Sequence, residues 1–154
     1  MKRILVVEDD KKIAAALWIR LKAAGYDVVT ASDGLKGLTA AVRTKPDLVL
    51  LDLWMPGAIG FLVAERLKNL GLGGVPVIFM TASKKKDLWK IAQEIGAAAF
   101  FEKPYDPEKL LAAISRILER RSSPETATTP AIPLAHNRPN IVNQRKTRDK
   151  NTRR

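Results

Sequence analysis

The sequence predicts an α/β fold: a doubly wound sheet of five parallel strands with helices on both faces. Two observations predict it. Five short apolar runs recur between Ile4 and Phe101, and a segment with helical spacing of its apolar residues follows each run. The connections between runs and segments are short. Strict alternation of this kind favours parallel strands that are joined by right-handed crossovers.

The strand predictions rest on runs rich in Val, Leu, Ile or Phe that do not alternate with polar residues. Such runs are typical of strands buried on both faces of a parallel sheet. The predicted strands cover residues 4–7, 26–31, 47–51, 75–80 and 98–101. Pro46 restarts the chain before the third strand, and a turn at residues 71–74 precedes the fourth.

The helix predictions rest on apolar stripes and on residues that start or stop a helix. In the first helix, Ile13, Leu17 and Leu21 form one stripe, and Gly25 follows it. Gly96 closes the fourth helix. The predicted helices cover residues 10–24, a stretch from a cap at Ser32 or Asp33 to about 44, residues 61–70, about 87–95, and a stretch from Asp106 or Pro107 to about 121.

Composition limits the class of protein. The 154 residues are 46% hydrophobic, which is enough for one domain with a core. The absence of cysteine excludes disulfides, thiolate metal sites and a cysteine nucleophile, and it fits a reducing cytosol. We recognise neither a signal peptide nor an apolar segment of membrane-spanning length, and so we expect a cytoplasmic protein.

The positive charge is concentrated at the C-terminal end. The formal net charge is +11, and 9 of the 27 Lys and Arg but only 2 of the 16 Asp and Glu lie from Arg120 onward. The segment after residue 121 is first rich in Pro, Thr and Ser and then polar and basic. Because it cannot bury enough apolar surface to offset its ordering entropy, we predict a folded domain over 1–121 and a disordered tail over 122–154, with no effector domain.

Polar side chains follow four of the predicted strands. Glu8 and Asp9 follow the first strand, Asp52 the third, Thr81 the fourth and Lys103 the fifth. The carboxyl ends of neighbouring strands meet at one crevice in folds of this class. We therefore expect these five side chains to converge.

This set of groups suits phosphoryl transfer onto an aspartate. Three close carboxylates repel one another unless a cation compensates, and Mg²⁺ prefers such oxygen ligands. Lys103 supplies a second positive charge and Thr81 a hydroxyl donor. Asp52 could then attack phosphorus in line while the cations neutralise charge on the phosphoryl oxygens.

Each residue of the set also has a plainer interpretation. Glu8, Asp9 and Asp10 could simply favour the N-terminus of the first helix through its dipole. Thr81 could cap a helix, and Lys103 with Pro104 could form a solvated turn. It is their combination, in this chain order, that favours phosphoryl transfer.

The motifs ILVVEDD at 4–10, LLDLWMP at 50–56, TA at 81–82 and KP at 103–104 are similar to those of response-regulator receiver domains, with a (βα)5 flavodoxin-like fold. The resemblance extends from Lys2 to about Glu119. It implies that Asp52 accepts a phosphoryl group from a phosphohistidine on a sensor histidine kinase or a histidine phosphotransfer protein. It also implies that Mg²⁺ is held by Asp9, Asp52 and the backbone carbonyl of Trp54, with Glu8 acting largely through water.

The resemblance further implies a conformational switch. Thr81 would bind the phosphoryl oxygen, Lys103 would pair with it, and the Lys103–Pro104 bond would be cis. Phe100, three residues before the lysine, would turn inward, although plain core packing also explains a phenylalanine there. The switch would change a face formed by the fourth helix, fifth strand and fifth helix, which would bind a downstream protein.

Three residues raise separate expectations. Ile59 stands where the family often has Asp, so the loop could pack differently. Trp54 is bulky for a position that borders the path of attacking water, and we hypothesise that it slows hydrolysis of the aspartyl phosphate. Trp89 could lie in the core or, if exposed, anchor a partner.

Other functions compete with a phosphorelay that acts by protein contact. The basic tail could dock weakly on nucleic acid in a salt-dependent way, or it could be a solvated extension. The fold could serve as a phosphorylation-independent docking module. An aspartate-nucleophile phosphatase of the haloacid dehalogenase type would need a second Asp where Trp54 stands. We therefore do not expect a turnover enzyme.

Overall fold

The computed structural model describes residues 1–55 and 58–123, and it confirms the predicted architecture. Five parallel strands lie in the order β2-β1-β3-β6-β7. They are β1 (Arg3–Val7), β2 (Asp27–Ala31), β3 (Leu48–Asp52), β6 (Val77–Thr81) and β7 (Ala99–Glu102). The helices are α1 (Lys11–Ala23), α2 (Gly34–Thr44), α3 (Gly60–Leu67), α4 (Leu88–Glu94) and α5 (Pro107–Ser122).

The register of the sheet brings the carboxyl ends of the strands to one edge. Val7 of β1 lies beside Ala31 of β2 and Leu51 of β3. Along the same edge, Asp52 lies beside Met80. The last residue of β6, Thr81, lies beside Glu102. Residues that end β3 or directly follow β1 and β7 therefore lie close together.

The sheet separates two layers of buried apolar side chains. One layer lies between the sheet and α2, α3 and α4, and it includes Leu51, Phe79 and Phe100. The other lies between the sheet and α1 and α5. All five residues of β3 are buried, as expected for a central strand covered on both faces. The burial of both faces explains why the apolar runs in the sequence do not alternate.

Aspartates start three of the helices at the positions that the sequence indicates. Asp10 accepts hydrogen bonds from Lys12 N and Ile13 N, while Asp33 and Asp106 cap α2 and α5 in the same manner. Each carboxylate satisfies backbone N–H groups that lack a partner within the helix. Gly25, after α1, has a φ of 93°, which only glycine adopts without strain.

The structure differs from the predictions in the connection around α3. The sequence predicts a helix to residue 70, but α3 ends at Leu67 and a π-type turn follows over Lys68–Leu72. A hairpin of two-residue strands, β4 (Trp54–Met55) and β5 (Ala58–Ile59), precedes α3 and was not predicted. Strands this short have no periodicity to detect. The predicted tail beyond residue 123 lies outside the described residues.

Candidate functional site

Three carboxylates meet at the carboxyl edge of the sheet, as the sequence predicts. Glu8, Asp9 and Asp52 each offer one oxygen atom, and these oxygens all lie within 4.8 Å of one another. Glu8 is only 2% exposed and Asp52 only 6%, whereas Asp9 is exposed. The neighbouring strands β1 and β3 place them there. The result is a concentration of negative charge that is partly withdrawn from water.

The ammonium of Lys103 joins two of these carboxylates. Lys103 Nζ lies 2.9 Å from Glu8 Oε2 and 3.1 Å from Asp52 Oδ2. Its side chain is 15% exposed, so the interpretation of Lys103 as part of a solvated turn is wrong. The Lys103–Pro104 peptide bond is cis, as the family resemblance implies. The backbone N–H of Lys103 donates to Thr81 O at 2.7 Å, which ties the end of β7 to β6.

The group formed by Glu8, Asp9, Asp52 and Lys103 contains more negative than positive charge and is partly buried. The pKa of the Glu8 carboxyl is raised from 4.5 to about 7, chiefly by burial and also by the nearby Asp52 carboxylate, against the opposing effect of the hydrogen bond from Lys103. Burial alone would lower the pKa of Lys103, but its hydrogen bond to Glu8 and the attraction of both carboxylates raise it overall. One ammonium therefore does not compensate three carboxylates.

Backbone groups of the β3–α3 connection position Asp52. Trp54 N donates to Asp52 Oδ1 at 3.1 Å. Gly60 N donates to Leu53 O at 2.9 Å. A Cβ atom at position 60 would lie 2.7 Å from Asp52 O and 2.9 Å from Leu53 Cα. Only glycine allows this close approach, a role of Gly60 that the local sequence does not indicate.

Thr81 is the last residue of β6, fully buried, and its hydroxyl accepts a hydrogen bond from Ser83 N at 3.0 Å. It does not cap α4, because that helix begins at Leu88. The plainer interpretation of Thr81 is therefore wrong. Asp10 caps α1 instead of facing the carboxylates, which agrees with its exclusion from the predicted metal ligands.

The aromatic residues near the site have different surroundings. Phe100 is buried in the layer between the sheet and α2, α3 and α4. This burial is expected both for plain core packing and for a role in the switch. Trp89 is partly buried against the same layer. Trp54 is 42% exposed, and Lys85 Nζ lies 5.0 Å from the centroid of its ring. The sequence does not indicate this contact of Lys85, because no local pattern connects residues of two separate connections between strands and helices.

The donor set fits a magnesium ion. Mg²⁺ binds carboxylate and carbonyl oxygens and keeps several waters. Three carboxylate oxygens within 4.8 Å of one another supply such ligands. The raised pKa of Glu8 marks the same place as one where positive charge is lacking. A divalent cation at this position would stabilise the ionised form of all three groups.

Comparison with known proteins agrees with this geometry. The response regulator receiver domain family matches residues 4–115. The chain belongs to this family. It is similar to a CheY-like response regulator receiver domain protein from Methanospirillum hungatei, with a TM-score of 0.75 and 29% identity over 79% of this chain and 97% of that one. The receiver domain of Klebsiella pneumoniae RstA gives a TM-score of 0.70 at 30% identity, covering 76% and 98%.

Two regulators that this chain resembles are longer than it. The DNA-binding dual master transcriptional regulator RpaA of Synechocystis is 38% identical over 150 residues, covering 94% of this chain and 57% of that protein. The DNA-binding response regulator MtrA of Mycobacterium tuberculosis is 39% identical over 119 residues, covering 77% and 51%. The chain thus spans about half the length of these relatives. In the part of the receiver that the structure describes, no helix is long and apolar enough to cross a membrane.

Proposed function

We propose that this receiver domain accepts a phosphoryl group on Asp52 from a phosphohistidine of a sensor histidine kinase or a histidine phosphotransfer protein. The observation that carries the proposal is the group formed by Glu8, Asp9, Asp52 and Lys103. Asp52 is the carboxylate that lies at the end of the central strand and contacts Lys103 at 3.1 Å. Family membership supports the same reaction.

In the proposed step, an Asp52 carboxylate oxygen attacks phosphorus and forms a new P–O bond. The P–N bond to the donor imidazole breaks, and its electron pair stays on the imidazole nitrogen. Lys103 would move its contacts from the carboxylates to a phosphoryl oxygen, and the Thr81 hydroxyl would donate to another. These groups act by stabilising charge that develops on phosphoryl oxygens.

Asp9, Asp52 and the Trp54 carbonyl would hold Mg²⁺, with Glu8 acting largely through water. When bound, the metal would neutralise negative charge on the phosphoryl group as it approaches the carboxylates. Because each ligand is an oxygen, the site would discriminate against metals that prefer nitrogen or sulfur ligands.

The phosphorylated domain would present an altered face formed by α4, β7 and α5 to a downstream protein. Thr81 and Phe100 lie on adjacent paired strands, since Phe79 of β6 is the register partner of Phe100 in β7. A shift of Thr81 toward the phosphate could therefore be accompanied by repacking of Phe100. In energetic terms, the phosphate biases an equilibrium between two arrangements.

The domain would not turn over small phosphates as an enzyme does. Asp52 is consumed as the acceptor in each cycle. The position two residues later, where a haloacid dehalogenase has its acid/base aspartate, carries Trp54. Trp54 cannot protonate a leaving group.

Phosphorylation is tested by incubating the full chain with Mg²⁺ and acetyl phosphate and recording its intact mass. We expect the wild type and Asp87→Asn to gain one phosphoryl group and Asp52→Asn to gain none. Asp87 is a matched control, because its exposed carboxylate pairs with Lys90 at 3.4 Å and is not one of the three clustered carboxylates. Addition to Asp52→Asn would refute the assignment. If the wild type gains nothing even from a kinase, a phosphorylation-independent docking module becomes the better proposal.

A second candidate function is docking on nucleic acid through the basic tail. Two observations favour it: the positive charge is concentrated after Arg120, and named relatives are DNA-binding regulators. A chain truncated after Ser123 should lose binding to duplex DNA in a mobility-shift titration, and full-length binding should weaken steeply with salt. Equal binding by both chains would refute a role for the tail.

A further inference from the structure

A contact between Trp54 and Lys85 bridges two loops at the candidate site. The Lys85 ammonium lies 5.0 Å from the centroid of the Trp54 ring, within the range of a cation–π interaction. Trp54 lies two residues after Asp52, and Lys85 lies four residues after Thr81. The contact therefore joins the connection that follows β3 to the connection that follows β6.

Hydrogen bonds link both ends of this contact to the proposed reacting groups. Trp54 N donates to Asp52 Oδ1 at 3.1 Å. On the other loop, Lys85 N donates to Ser83 Oγ at 3.2 Å, and Ser83 N donates to Thr81 Oγ1 at 3.0 Å. The two side chains in contact thus belong to residues whose backbone N–H groups bond to Asp52, in the case of Trp54, and through Ser83 to Thr81, in the case of Lys85.

The neighbouring lysines have other contacts. Lys84 Nζ donates to Lys103 O at 3.2 Å and lies 3.8 Å from Glu102 Oε2. Lys86 is exposed, and no hydrogen bond or ion pair of its side chain occurs within residues 1–55 and 58–123. The three lysines therefore carry the same charge on the same loop, but only Lys85 lies over the Trp54 ring.

We propose that Lys85 is a positioning residue that holds the Trp54 ring over the approach to Asp52 and thereby slows loss of the phosphoryl group. This inference rests on the proposed phosphoacceptor role of Asp52. In hydrolysis, a water oxygen bonds to phosphorus, the bond between phosphorus and the Asp52 oxygen breaks, and its electron pair returns to the carboxylate. The water proton leaves with inorganic phosphate or to solvent. A ring kept in place limits the access of that water.

The lifetime of the phosphoprotein tests the effect on hydrolysis. Protein loaded with acetyl phosphate and Mg²⁺ is freed of donor, and the decay of the phosphorylated mass is followed. We expect Lys85→Met to decay about two- to fivefold faster than wild type, as expected for loss of an exposed cation–π contact. Lys85→Arg, which keeps a cation over the ring, should decay like wild type. The matched control Lys86→Met removes the same charge from the same loop and should also decay like wild type.

The position of the ring is tested separately in unphosphorylated protein. In a Trp18→Phe/Trp89→Phe background, fluorescence comes from Trp54 alone, and Lys85→Met should increase its quenching by acrylamide. Unchanged quenching, or equal decay rates for Lys85→Met and Lys86→Met, would overturn the inference. In a Trp54→Leu background, Lys85→Met should have no further effect on decay. If wild type forms no phosphoprotein from any donor, the proposed function itself fails, whatever the quenching result.

Discussion

The two ends of the parallel sheet carry ion pairs in contrasting surroundings. At the carboxyl end, Lys103 lies between Glu8 and Asp52, and both acids are almost fully buried. At the amino end, Arg3 lies 2.6 Å from Asp27, and the two side chains are 41% and 34% exposed. The carboxyl end thus has more acids than cations and little water, whereas the amino end has a balanced, solvated pair.

The amino end satisfies its charged groups by additional hydrogen bonds. Arg3 Nη1 donates to Thr44 O at 2.8 Å, and Arg3 N donates to Asp47 Oδ2 at 2.7 Å. Arg121 Nη1 donates to Asp47 O at 2.9 Å, which attaches the last turn of α5 to the start of β3. Charged side chains therefore have different roles at the two ends. The solvated, charge-balanced groups at the amino end connect secondary-structure elements. The buried acids at the carboxyl end exceed the cations in number and favour binding of a positively charged ligand.

Among the changes considered, replacement of Lys103 should have the largest effect, and this effect should be confined to the carboxyl end of the sheet. Lys103→Met removes the ammonium group that contacts both buried acids, Glu8 and Asp52. We expect phosphorylation by acetyl phosphate to slow by roughly 10²- to 10³-fold, the usual cost of removing a group that stabilises transition-state charge. Initial rates from intact mass measure the effect, with Lys86→Met as the control. A rate for Lys103→Met close to that of wild type would contradict the assigned role.

The free energy of unfolding should depend on pH through Glu8 at the carboxyl end of the sheet. Because the pKa of Glu8 is raised from 4.5 to about 7 in the folded, metal-free protein, its protonated form favours folding. That contribution is fully present below pH 4.5 and is lost as the pH rises through about 7. The loss is on the order of 3 kcal/mol in the free energy of unfolding. Mg²⁺ should restore stability at high pH, because it binds the folded state.

Urea unfolding in EDTA from pH 5 to 8 measures this trend. Glu8→Gln should be nearly insensitive to pH over the same range, since the amide does not titrate. An equal decline in wild type and Glu8→Gln would assign the pH dependence to another group.

The amino end should give the smallest effect, with the opposite dependence on pH. The hydrogen bond from Arg3 holds the pKa of Asp27 below its ordinary value. The ionised carboxylate therefore contributes stability above the ordinary aspartate pKa, and the contribution is lost as the pH falls below it. Asp27→Asn should lower the urea midpoint slightly at pH 7 and should not alter phosphorylation. A large loss of phosphorylation would mean that the two ends are coupled.

The fold could be predicted from the sequence because each level of the pattern agrees with the others. The apolar runs, the capping residues Asp10 and Asp33, and the stop at Gly25 all indicate the same elements. The site could be anticipated because its residues end strands or closely follow them, and parallel strands end at one edge. Asp52 and Lys103 are 51 positions apart, yet strand order alone brings them together.

What the sequence did not reveal depends on contacts between loops. The hairpin formed by β4 and β5 has strands of two residues, which are too short for a periodic signal. The tight approach of Gly60 to Asp52 O depends on how that connection folds back. The contact of Lys85 with Trp54 depends on side-chain placement across two loops. Local patterns cannot encode any of these three features.

The attachment of Arg121 to the start of β3 also determines where the chain leaves the domain. Arg121 contacts Asp47, just before β3, whereas Asp52 ends this five-residue strand, so the last turn of α5 and the candidate site lie at opposite ends of a strand roughly 15 Å long. Contacts made at the candidate site and contacts made at residues 121–123 would therefore involve separate surfaces of the described domain.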